Sequence, residues 1–447
     1  MARLGSRQGP REAVPEAARS GLAGSRELLA AAGRVVLLAA AVLLAVYMAY
    51  KALDLMQTYE EIISTAYEAK GPPKFPEAGD ITVFYTAGDV IVSEERSRLY
   101  DPDYFIPRVF ETQGWQPGDV YAGDGKWSRF YNPPAFALVL APLSLVDLHT
   151  AYLIVLGLNI AATAVLAVIM GSLLRWRQLE RTLLILALLS YTPLYFVFQH
   201  AQSSLLLALV LAGSYLLWRS GAWRAGAVLA VLGGMKPQWL ALPPLVAARR
   251  HPRALLWSAA AALVVLVLPF GLVGVDGFRD YIDITLDRGG GDLSDQTYSS
   301  AILSWSGFMR AITGSPQPAL SLAAAGLTLA VFAHALLKGD LELGMAAAIL
   351  STLLVVPHSH PQDWVVVFVA VAVALSRSAP TVSRVTVWAC FLAVYFAAND
   401  WPNASATVAA GHTAAYWVTL AGFGLLLLVS ALPYVEARLS AKAQLAE

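Results

Sequence analysis

The chain has 447 residues, of which 57% are hydrophobic and only 14% charged, with a formal net charge of +0. A mean hydropathy of +0.58 and so little charge exclude an ordinary soluble domain, in which about a quarter of residues are charged. The charge balance also gives a nucleic-acid backbone nothing to bind, and a single cysteine, Cys390 in an apolar run, excludes disulfides within the chain and cysteine-based metal sites.

The first 33 residues are rich in Ala, Gly, Ser, Arg and Glu and too polar for a core. The first apolar run begins only after Arg34 and lacks a clear cleavage site, so it is read as a signal-anchor helix at 34–52 behind a disordered cytoplasmic tail. Cytoplasmic loops collect Lys and Arg, and Arg3, Arg7, Arg11, Arg19, Arg26 and Arg34 put the N-terminus inside. The next segment, 53–131, is strongly acidic, with Asp80, Asp89, Asp101 and Asp103 among its carboxylates. It is too long for a turn between spans, and its aromatic residues argue against disorder. Residues 132–148 open with Pro133 and Pro134 and are broken by Pro142. As a span they would throw Arg175, Arg177 and Arg181 outside, so they read as an interfacial helix. The stretch 53–148 thus becomes one large extracytoplasmic loop carrying interfacial helices.

Spans of roughly 20 apolar residues are predicted next at 149–172, 182–199 and 202–218. Residues 224–248 hold Gly233, Gly234, Met235, Lys236, Pro237 and Gln238 in mid-run. A straight span there would leave Lys236 near mid-membrane and misplace Arg249, Arg250 and Arg253. Two half-helices turning outward at Lys236–Pro237 keep that basic cluster inside. A span at 254–274 exits into a second acidic loop bearing Asp276, Asp280, Asp283, Asp287, Asp292 and Asp295. Spans at 319–337, 341–357, 363–376, 385–398 and 413–434 follow, with 435–447 as a cytoplasmic tail. The fold class is an all-α polytopic membrane protein with about twelve crossings, its membrane domain covering 34–434.

This topology sorts Asp80, Asp89, Tyr131, Gln199, His200, Gln202, Lys236, Gln238, His358, His360 and Asp363 onto the outer ends of spans. Ionisable groups at membrane depth are costly and mark function. A carboxylate beside cationic and neutral donors at a lipid boundary suits a reaction on a phosphorylated lipid. The cations hold the phosphate, and the carboxylate takes a proton from an incoming hydroxyl. Each residue has a plainer reading as well. Asp80 fits a helix N-cap, Lys236 a snorkelling side chain, and Tyr131-Asn132-Pro133-Pro134 a helix entry. His358 and His360, two apart between prolines, are a weak metal signal.

Four stretches in order give the chain a resemblance to glycosyltransferase family 87. They are Asp80 to Asp101; Tyr131-Asn132-Pro133-Pro134 with the apolar run to Pro142-Leu143; Gln199-His200-Ala201-Gln202-Ser203-Ser204 through Gly234-Met235-Lys236-Pro237-Gln238; and Val356-Pro357-His358-Ser359-His360-Pro361-Gln362-Asp363. Two departures stand out. The family usually has Gly-Gln-Xaa-Asn where this chain has Ala201-Gln202-Ser203-Ser204, and its fourth stretch is usually poorer in histidine. The resemblance implies a GT-C-type bundle that takes a sugar, commonly mannose and sometimes arabinose, from a polyprenyl-phosphate donor at the outer face of the plasma membrane. The acceptor is a glycan or glycolipid.

By the same resemblance Asp80 is the catalytic base. Lys236, Gln202, His200, Tyr131, Gln238, His358, His360 and Asp89 are read as substrate-binding residues. A lipid monophosphate leaving group is met by Lys236 and neighbouring donors, so neither a metal nor another cofactor is expected. The alternatives are a polytopic transporter, against which the chain shows no internal halves, and a polyprenyl-lipid flippase, which would need Lys236 but no base.

Overall fold

The computed structural model describes residues 32–33, 35–57, 60, 79–114, 128–174, 177–290, 302–377, 379–399 and 408–444. The N-terminal tail apart from residues 32 and 33, the middle of the first acidic loop, and Asp292 and Asp295 of the second lie outside them. The described residues form helices and turns with no strand. Five helices are long and apolar enough to cross a membrane: Val35–Gln57 (α1), Leu148–Leu173 (α5), Pro318–Lys338 (α14), Thr381–Asn399 (α17) and Tyr416–Ala441 within Val408–Gln444 (α18). Two bent pairs raise the number to seven. Shorter apolar helices, Ser204–Arg219 (α8), Trp223–Val231 (α9), Leu341–Val355 (α15) and Val367–Leu375 (α16), lie in other stretches predicted as spans but are shorter than a straight crossing.

Burial explains why the short helices can be short. In α16 every side chain is buried, and in α15 all but the two residues Glu342 and Val355 are. A helix apolar on all sides and covered on all sides is the centre of its bundle, and its neighbours shield its ends. The outer helices show the opposite. On α1 and α14, Leu37, Leu43, Leu322 and Leu327 are exposed, a surface that only a lipid solvent accepts in such density.

Both bent pairs mark places where a straight predicted span is broken. Gln178–Leu189 (α6) and Thr192–Gln199 (α7) meet at 46°, because Pro193 in the first turn of α7 starts a new helix. Backbone groups freed inside a membrane need partners. Asn399 provides two, its Oδ1 accepting from the Thr192 N–H (2.6 Å) and its Nδ2 donating to the Ser190 carbonyl (3.2 Å). The second pair runs from Arg253–Ala262 (α11) through a π-turn at Leu263–Val267 and bends by 80° into Phe270–Gly290 (α12), which is itself kinked at Gly274 (φ +73). The segment predicted as an acidic loop is therefore helical as far as Gly290. The expected tail at 435–447 is likewise helical as far as Gln444, since its Ala, Leu, Glu, Lys and Arg are strong helix formers and Arg377 holds Glu436 (3.0 Å).

The half-helix hairpin expected around Lys236 is present. α9 leads into 3-10 turns at Leu232–Met235 and Pro237–Leu240 and then into Leu242–Arg250 (α10). Its open ends meet where Trp223 packs against His251, with ring centroids 4.1 Å apart and planes tilted by 35°. Those ends lie with the basic end of the bundle. There Arg249 donates to the Leu337 and Gly339 carbonyls (2.6 Å each), Arg377 pairs with Asp340 (2.5 Å), and Arg384 pairs with Glu180 (2.7 Å). Arg177 bonds the carbonyls of Leu375 and Arg377 at the same end.

At the opposite end lies a layer with its own aromatic core. Gly79–Val92 (α2), Pro102–Thr112 (α3), Pro134–Leu140 (α4) and α12 bury Phe84, Tyr100, Phe105, Phe130 and Phe136 between them. Two tyrosines tie the layer down, Tyr100 donating to the Asn132 carbonyl and Tyr85 to that of Val146, both at 2.8 Å. Residues 132–148 join this layer as a short helix and a 3-10 turn rather than crossing the bundle. Helix α2 reaches α4 at a glycine: a Cβ on Gly88 would lie 2.7 Å from the Leu140 carbonyl oxygen. Gly88→Ala is expected to force the two helices apart and lower stability by about 1–3 kcal/mol, seen as a drop in the unfolding temperature of the detergent-purified protein. An unchanged temperature would mean that the contact gives way freely.

Candidate active site

Most candidate residues gather at the end of the bundle away from Arg177, Arg249, Arg377 and Arg384. Asp80 stands in the first turn of α2, where a negative charge is favoured by the helix dipole. Its Oδ2 accepts a hydrogen bond from Gln202 Nε2 at 2.5 Å. Asp80 is half-buried, while Gln202 is buried.

Gln202 is aimed by the way α7 ends. The Gln202 N–H bonds the Val197 carbonyl (2.9 Å) and the Ala201 N–H that of Phe198 (3.2 Å), while Ala201 has φ +50. This is a Schellman motif, with Ala201 at the left-handed position where glycine is the usual residue. The departure Ala201-Gln202 from the expected Gly-Gln therefore falls on the one backbone site where glycine has a physical advantage. The turn is kept nonetheless, and Gln202 follows it towards Asp80.

Two residues further along, α8 begins, and its buried Ser204 joins a second cluster. Ser204 Oγ donates to Asp363 Oδ1 (2.9 Å) and accepts from Lys236 Nζ (3.0 Å), which itself reaches Asp363 Oδ1 at 2.5 Å. Lys236 occupies the extended break between the two 3-10 turns (φ −112, ψ 99), a conformation imposed by the following proline. Asp363 is in the first turn of Pro361–Val366, and its Oδ2 accepts the His360 N–H at 3.2 Å. The segment around it is clamped by residues 302–304. The Leu303 N–H bonds the Ser359 carbonyl (2.6 Å), and Trp364 Nε1 donates to the Leu303 carbonyl (3.0 Å).

The structure thus brings Asp80 to Gln202, and Lys236 to Ser204, Asp363 and the His360 turn. The short segment 202–204 joins the two groups. It does not bring in Asp89. That residue lies nine positions along α2, about 13 Å at 1.5 Å per residue, and pairs with Arg108 of α3 at 2.9 Å. The hydrogen bond that Arg108 donates to this carboxylate raises the Arg108 pKa. His200 caps α7 half-buried with its ring stacked on Phe196. Tyr131 is half-buried against the aromatic layer, Gln238 follows Lys236 in its turn, and His358 and His360 are half-buried in the loop before Asp363. Among the described residues no three His, Cys, Asp or Glu side chains stand close enough together to hold a metal ion.

Sequence reasoning placed Asp363 on the outer side and named Ser204 within a motif, but gave neither a part in the site. The only sequence signal was an acid ending a proline-rich loop. Its partner is 127 positions away.

The described residues thus form an apolar helical bundle with a carboxylate and an ammonium group at one end. The sequence profile of glycosyltransferase family 87 matches residues 130–357, just over half of the chain, and the chain belongs to that family. It is a membrane glycosyltransferase. The match takes in Tyr131, Gln202, Ser204 and Lys236 and leaves Asp80 and Asp363 on either side. No curated protein and no solved structure gives a match.

Two measurements follow from this geometry. Lys236→Met alone is expected to cost about 3–5 kcal/mol by leaving a buried carboxylate unpaired, whereas Lys236→Met with Asp363→Leu costs much less; unfolding of the two variants in detergent checks the order. Ala201→Gly is expected to raise stability by about 0.5–1 kcal/mol, because the released left-handed strain exceeds the extra chain entropy of glycine. No gain in the same assay would contradict the strain.

Proposed function

We propose that this glycosyltransferase moves a sugar, mannose before others, from a polyprenyl-phosphate donor to a glycan or glycolipid acceptor on the extracytoplasmic face of the plasma membrane. The observation that carries the reading is the convergence of Asp80 and Lys236 on the two ends of the segment 202–204. The orientation rests on the arginines gathered at the other end, which the positive-inside bias assigns to the cytoplasm. The N-terminus would then be cytoplasmic, the bundle of GT-C type with about twelve crossings, and the layer of α2, α3, α4 and α12 would cover the acceptor.

The chemistry is a single displacement with inversion. The acceptor oxygen bonds to the anomeric carbon as the bond from that carbon to the phosphate oxygen breaks, its electron pair staying on the phosphate. Asp80 receives the acceptor proton. Its Oδ2 is engaged by Gln202, which holds the carboxylate still and leaves Oδ1 for the proton. Lys236 and Ser204 face the leaving phosphate, while His200, Tyr131, Gln238, His358 and His360 line the approaches. The lipid chain of the donor enters sideways between helices, where the protein already presents apolar surface to the bilayer.

Asp80→Asn is the test. Loss of general-base catalysis is expected to lower turnover about 10²–10⁴-fold in an assay with a panel of polyprenyl-phosphate sugars and extracted glycolipids, with expression and lipid binding kept. Transfer at the wild-type rate would remove Asp80 from the chemistry, and lipid movement without any transfer would favour a flippase.

A further inference from the structure

The transfer reaction leaves one buried acid with no part to play. Asp363 is 5% exposed, lies against the ammonium group that is to hold the donor phosphate, and is fixed from three directions by Lys236, Ser204 and the His360 N–H. The clamp of residues 302–304 on its turn keeps it from swinging aside. A phosphate entering this pocket therefore meets a lysine whose charge is already balanced.

The charge of the phosphate changes during the reaction. The sugar donor is a phosphodiester with one negative charge. When the anomeric carbon passes to the acceptor oxygen and the acceptor proton to Asp80, the phosphate departs as a monoester, which carries about −1.5 to −2 at neutral pH. A pocket built on Lys236 alone would hold this product more tightly than the donor, since attraction grows with charge in a partly buried site. Resting on the donor reading above, we propose that Asp363 is the residue that sets the charge preference of the phosphate pocket. By repelling the second negative charge it disfavours the spent lipid monophosphate relative to the donor and lets the site clear.

The test compares two ligands that differ by one methyl group and the second negative charge, citronellyl phosphate and its methyl ester, titrated into the full-length protein in detergent with tryptophan fluorescence as readout. Wild type is expected to bind the ester at least as tightly as the monoester. Asp363→Asn is expected to shift the affinity ratio towards the monoester by about tenfold or more, and Asp363→Glu to keep the wild-type ratio. Because the readout is a ratio, a variant that is merely less stable does not imitate the effect. An unchanged ratio in Asp363→Asn would overturn the role of Asp363 while leaving the donor reading in place. A tenfold preference of wild type for the monoester would overturn it without any variant. Failure of wild type to bind either ligand would bring down the donor reading, and this inference with it.

Discussion

An ammonium group at the end of an apolar bundle needs an answering negative charge, and in this protein the requirement is met by a carboxylate from a distant part of the chain. Lys236 lies in the break of one hairpin and Asp363 in the first turn after another loop, with Ser204 bridging them. Three separate segments are thereby pinned to one point. Because a buried charge without its partner is so costly, the starts of α8 and of the turn leading into α16, and the α9–α10 hairpin, have little freedom to move apart. The same pair fixes the charge of the pocket in which a phosphate would lie, so the interaction that stabilises the architecture also limits its chemistry.

The second theme is interrupted helix. The chain breaks at Ser190–Tyr191, at Lys236–Pro237 and at Leu268–Pro269, and an apolar solvent tolerates a break only when the freed backbone groups find partners. Asn399 serves the first. At the second, the polar groups of the turn lie at the protein's candidate site instead of against lipid. The third bends by 80° and lays α12 across the aromatic layer, with Tyr281 packed on Tyr100. Each break shortens a helix that would otherwise pass straight through, and the first two deliver Gln202 and Lys236 to the same end. The aromatic layer completes the arrangement: Tyr100, Phe105, Phe130 and Phe136 form its core, α2 is seated through Gly88 on α4, and Asp80 is carried at the start of α2.

The family resemblance and the membrane class were legible because they rest on local signals. Long apolar runs, arginines between them and short motifs in a fixed order each survive without knowledge of contacts. The hairpin at 224–248 was legible for a related reason, since leaving Lys236 in mid-membrane would have been too costly. Of the two acids at one predicted end, the resemblance and the helix start favoured Asp80 over Asp89. What each acid touches was not legible: Arg108 reaches Asp89 from another helix, and Gln202 reaches Asp80 from a third.

By itself, then, the sequence determined that this chain lives in a membrane, which loops carry positive charge, and which polar residues fall at the far ends of its helices. Those properties follow from composition and from patterns within about twenty residues. Tertiary structure alone decided that Asp363 neutralises Lys236, that Ser204 stands between them, that Ala201 takes a left-handed turn to aim Gln202, and that the acidic segment after 270 is a helix on the outer layer. Each of these depends on two or more segments far apart in the chain being packed together, and no local pattern records which partner a buried charge will find.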